Sequence, residues 1–166
     1  MLGHLRNPEY LHVLLNPLPV YGLGVGILGL AIALISRTRA ARVTALSILF
    51  VSTLSAWPVY HYGEEAYDRV LPLSDSDGRE WLEEHQRRGE QLIYIFYLVC
   101  ALAGMGLLSE KFAPRAAVPL ALVTVILAGA ALGAGGYIAT AGGRIRHREF
   151  RYEPPPVSKG NDNETN

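Results

Sequence analysis

The stretch QLIYIFYLVCALAGMGLLS, Gln91 to Ser109, carries no charged side chain from end to end. A helix of about 20 apolar residues is long enough to cross the hydrocarbon core of a bilayer. Three more stretches of this kind lie at about 18–36, 43–62 and 116–140, and the charges collect between them. A soluble fold would have to bury four such helices in one 166-residue domain, with little amphipathic pattern to tell inside from outside. The expectation is therefore an all-α fold, an integral membrane four-helix bundle over residues 1–152. The tail 153–166 is Pro-rich and then polar, a composition that favours disorder.

Immediately before Gln91 comes a polar run from Tyr62 to Glu90. It holds Gly63-Glu64-Glu65, His85 and nine of the fifteen carboxylates, so it reads as a polar loop and helix cap on one face of the bundle. Glu64 to Leu71 can form a short helix, and Ser74, Asp75 and Asp77 offer capping side chains for the next. From Asp77 a helix can run unbroken into the third span. Trp81, His85, Gly89 and Leu92 then lie near one stripe. Gly89 leaves room beside His85, either for something bulky or for a neighbouring helix. His4, His12, His61, His85 and His147, all the histidines of the chain, map to this same side.

Ahead of the first span, Asn7 and Pro8 suit a helix start, and Pro17 and Pro19 predict a break before the span proper. Gly24-Val25-Gly26-Ile27-Leu28-Gly29 matches G-x-G-x-x-G in letters. No strand precedes it, which excludes the dinucleotide reading. Gly22 and Gly26, like Gly129 and Gly133 in the fourth span, stand four apart and predict close helix packing. Pro58 predicts a kink near the end of the second span. Cys100 is the single cysteine and allows no internal disulfide. A net charge of zero gives no general attraction to nucleic acid. The first apolar stretch lacks the flanks of a cleaved signal peptide.

The short turns between spans hold Arg37, Arg39, Arg42, Lys111 and Arg115 tight against the apolar stretches. The capped side carries more basic residues, but four of them share the polar run with its acids. Weighting the turns predicts a multi-pass protein of the cell's inner (plasma) membrane with both termini outside.

Chemistry has its candidates on the capped side. His12, His85 and His147 come from three separate segments, with Glu64 or Glu90 as nearby carboxylates. Imidazole with carboxylate suits a transition metal, and an imidazole pair from two helices suits haem iron. No H-x-x-x-H spacing supports either. Arg144, Arg146, Arg148 and Arg151 can hold the C-terminal arm down on the acidic run, or can bind an anion such as a haem propionate. The spans themselves contain no ionisable group of the kind a proton-coupled transporter needs.

Three motifs in order resemble a family of prokaryotic four-span membrane proteins of unassigned function, some fused to Rieske iron–sulfur domains. They are Pro8-Glu9-Tyr10-Leu11-His12-Val13-Leu14-Leu15-Asn16-Pro17-Leu18-Pro19-Val20, then Gly63-Glu64-Glu65-Ala66 with His85 after it, then Gly142-Gly143-Arg144-Ile145-Arg146-His147-Arg148-Glu149. The resemblance covers residues 8–150. It implies His12, Glu64, His85, Arg146, His147 and Glu149 as functional positions and hints at membrane electron transfer. The family has His where this chain has Pro17, so a site using both histidines would be one ligand short here.

Two functions follow as expectations. In the first, the protein is a membrane redox or metal-binding subunit. His12 and His85, with His147 as a third candidate, bind haem b or a transition metal; Glu64 is a ligand or supporting carboxylate, and Arg144 and Arg146 neutralise propionates. Its redox partner would be a quinol or a cytochrome. In the second, it is a non-catalytic accessory subunit whose glycine-rich first and fourth spans pack against other membrane protein subunits. A small-molecule carrier is the weakest reading.

Overall fold

A computed structural model describes residues 6–156 of the chain. His4, Lys159 and most of the polar tail lie outside the described residues. The described part is helical throughout, with no strand among its residues. Six α-helices follow in order: α1 (Pro8–Leu15), α2 (Pro17–Ser36), α3 (Arg39–Leu54), α4 (Ala56–Val70), α5 (Ser76–Phe112) and α6 (Pro114–Arg146). The pairs α1–α2 and α3–α4 each act as one interrupted rod, so four units are long and apolar enough to cross a membrane.

The breaks have local causes. Pro17 ends α1 and takes the first position of α2, where its missing N–H costs nothing. Arg37 takes the left-handed conformation (φ 55°) that closes α2. The expected kink at Pro58 lies earlier, at Ser55, whose hydroxyl donates to the Ser52 carbonyl. Pro58 then falls in the first turn of α4, where proline is tolerated. The expected short helix at 64–71 is instead the continuation of α4, closed by a single 3₁₀ turn at Leu71–Leu73.

Outward-facing and core-facing surfaces separate clearly. On α2, Tyr21, Val25, Leu28, Ile32 and Ile35 point outward at helical spacing, while Leu23, Leu30 and Ala33 are fully buried. An apolar outer face is what a bilayer allows and water does not. The buried residues of α6 are all small: Ala117, Ala121, Thr124, Ala128, Ala131, Gly135 and Ala141. These let the backbones approach closely. Gly22 and Gly26 pack as expected, against Ser52 and Leu49 of α3, so they serve this chain's own core. Gly129 and Gly133 do not: a Cβ on either meets nothing, because that stripe of α6 faces outward.

At the capped end, Asp75 joins two helix ends. Its side chain accepts the Gly78 amide at 2.8 Å and so caps α5. It also receives Arg151 (2.9 and 3.0 Å) and Arg148 (2.9 Å). Arg151 in turn donates to the Arg144 and Ile145 carbonyls at the end of α6. The Arg151 hydrogen bonds, with help from the Gly78 amide, hold the Asp75 carboxyl well below the usual carboxylate range. A carboxyl depressed in the fold adds stability above its unfolded pKa, about 3.9, and loses it as pH falls toward the folded value. The thermal midpoint of wild type should therefore exceed that of Asp75→Asn by a constant margin from about pH 5 to 8. That margin should shrink only below about pH 4; one that changed near neutrality would contradict the assignment.

Candidate functional site

Two helix pairs, α1 with α4 and α5 with α6, meet at the capped end and, with the start of α2, line a half-open cavity of about 670 Å³. Ligand pockets fall in the range of about 300–1,000 Å³. Its walls are largely apolar, with Val59, Leu82, Phe96 and Ile138 among them, and His12, Glu64, His85 and Arg146 supply polar groups.

The two imidazoles are held in the same way. His12 on α1 places Nδ1 2.8 Å from the Val59 carbonyl on α4. His85 on α5 places Nδ1 3.0 Å from the Ile138 carbonyl on α6. A carbonyl oxygen can only accept, so each Nδ1 carries the proton and, in the neutral ring, each Nε2 keeps its lone pair. The ring centroids are 6.1 Å apart and the planes cross at 83°. Fixing one ring nitrogen on a backbone carbonyl is the arrangement that orients a metal-ligating histidine.

Glu64 accepts from the Gln86 amide at 3.2 Å. Arg146 makes no ion pair with a described residue. Gly89 lies one turn after His85 and lines the cavity, with nothing within 4 Å of a Cβ built on it. The space foreseen beside His85 thus belongs to the cavity and not to a neighbouring helix. Gly89→Phe should fill that space while leaving the helices in register. The expected outcome is a normally folded protein, by circular dichroism and gel filtration, that has lost any small molecule wild type takes up there.

The other candidates lie elsewhere. His147 follows the end of α6, bonds Glu149 at 3.0 Å and packs on Phe150, with more than half its side chain exposed. Arg144 does not line the cavity: its guanidinium lies 4.5 Å over the Trp81 ring and 3.9 Å from Glu153. His61 stacks on Trp57 and faces Glu65 on the outer surface of α4. Among the described residues, no three His, Cys, Asp or Glu side chains gather to hold a metal ion. Of the candidates His12, His85, His147 and Glu64, the cavity thus brings together His12, His85 and Glu64, and His147 stands apart from them.

The charged support beside His85 went unread in the sequence. Glu84 and Arg88 are both buried and bond at 2.7 Å, and Arg88 crosses to the Tyr137 carbonyl and ring on α6. Their i, i+4 spacing was the available signal.

Fold and site together define a class: an all-α membrane-type bundle whose polar end sets two imidazoles 6.1 Å apart in the lining of a largely apolar cavity. No protein-family model, curated protein or solved structure matches the chain.

Proposed function

We propose that this is a membrane electron-transfer subunit that binds haem b between His12 and His85. The observation that carries the reading is the imidazole pair. A metal–imidazole bond is about 2.0–2.1 Å and the ring centre lies roughly 1.1 Å further, so ligands on opposite sides of one ion stand about 6.3 Å apart, centre to centre. Ligands at a tetrahedral angle would stand about 5.2 Å apart by the same construction. The distance of 6.1 Å fits opposite ligands. His12 and His85 would hold a haem iron between them, and the haem would supply single-electron chemistry there.

The remaining residues fit that group. The apolar walls suit a porphyrin face, and the open space at Gly89 admits its edge. Arg146 offers an unpaired guanidinium to a propionate, while Glu64 and Gln86 place a polar pair at the rim. Haem iron held by two imidazoles exchanges single electrons, so a quinol or a partner cytochrome is the class of redox partner. The location that goes with this reading is the plasma membrane, with the capped face and both termini on the outer side.

The test is an absorption spectrum of the detergent-purified protein, oxidised and then reduced, with elemental analysis of the same sample. A Soret band and sharp reduced α and β bands are expected, with one iron per chain. Neither chromophore nor metal, with haem supplied during expression, would overturn the reading and favour the accessory subunit.

A further inference from the structure

We infer that Gly63 and Gly142 are positioning residues that lock the two ligand imidazoles in their tautomers and at right angles to each other. The inference rests on the haem reading above. The same device occurs twice. In α4, the carbonyl that receives His12 belongs to Val59, four residues before Gly63. In α6, the carbonyl that receives His85 belongs to Ile138, four residues before Gly142. A Cβ on Gly63 would stand 3.0 Å from Nδ1 and Cε1 of His12, and one on Gly142 would stand 3.1 and 3.0 Å from the same atoms of His85. Each ring therefore lies on bare helix backbone and is fixed at two points, the carbonyl and the glycine. The two helices aim their rings independently, and the planes cross at 83°.

That angle has a readable consequence. An imidazole donates π density into one of the two iron dπ orbitals. Parallel rings act on the same orbital and split the pair; crossed rings act on one each and leave the two nearly equal in energy. Low-spin ferric iron then keeps more orbital angular momentum and shows a strongly anisotropic resonance with a single low-field feature, in place of the rhombic three-line pattern.

The experiment is electron paramagnetic resonance of ferric wild type, Gly63→Ala, Gly142→Ala and Gly133→Ala, each loaded with haem. Alanine is the better helix former, and Gly133 is a control because its Cβ meets nothing. The expected wild-type spectrum is the single low-field form. Gly63→Ala and Gly142→Ala should become rhombic or partly high-spin, and Gly133→Ala should match wild type. A rhombic wild type, or glycine variants indistinguishable from it, would overturn the inference while leaving haem binding intact. Failure of wild type to take up haem would overturn the haem reading and the crossed ligand planes with it. Nitrogen-15 resonances of the histidines in haem-free protein then test the positioning by themselves. Nδ1-protonated rings at His12 and His85 that are disturbed in the two variants support it, and Nε2-protonated rings sink it.

Discussion

On the proposed haem reading, His85→Ala should purify folded but with haem iron reduced at least tenfold relative to wild type, since even an outer partner of a metal site is worth about 10–100-fold in affinity. His12→Ala should do the same. The two losses should not add, because either variant removes one of two opposed ligands and leaves the iron held from one side. What little haem remains should be high-spin, and imidazole added to the buffer should restore the low-spin spectrum by entering the vacated space. The fold has reason to survive: both rings face a cavity, so alanine enlarges an existing space and opens no new one in the packed core. His147→Ala is the paired control. It should keep full occupancy, since that ring faces Glu149 and Phe150. Equal haem content in all three variants would remove the site from this cavity.

The second large effect concerns the opposite end of α5. Glu110 is about 37 Å along the helix from His85, at a rise of about 1.5 Å per residue. Its carboxylate is 3% exposed and receives Arg42 of α3 through two bonds, at 2.7 and 3.1 Å. Arg39 approaches at 3.5 Å but is mostly exposed. Arg42→Met leaves a buried carboxylate with only that exposed cation, and should destabilise the protein by about 3 kcal/mol. Arg42→Met combined with Glu110→Gln should recover much of the loss, because the uncompensated charge is gone. Denaturation in detergent measures both. A single variant as stable as wild type would show that water reaches Glu110.

The spans were legible because length and apolarity are local properties of a sequence. The site was legible only in part. Sharing a side of the membrane fixes one coordinate of a residue, and the helical phase supplies the others. Arg144 and Arg146 show this: two residues apart on a helix, they point to nearly opposite faces, so one meets the cavity and the other covers Trp81. His147 stands away from the cavity because α6 ends at Arg146, and the chain then passes into a 3₁₀ turn at Arg148–Phe150. The carbonyls of Val59 and Ile138 were invisible in principle, since every residue carries one and only the packing of α1 on α4 and α5 on α6 selects these two. Gly63 and Gly142 stood inside motifs already singled out, but nothing in the letters says which ring would rest on them.

The division of the site between two helix pairs also orders events during synthesis. His12 can find Val59 once the first half of the chain is in the membrane, yet His85 lacks its carbonyl and its glycine until α6 has emerged. A ligand that needs both rings could therefore bind only after α6 has emerged. It would tie the earlier half of the protein to the later one.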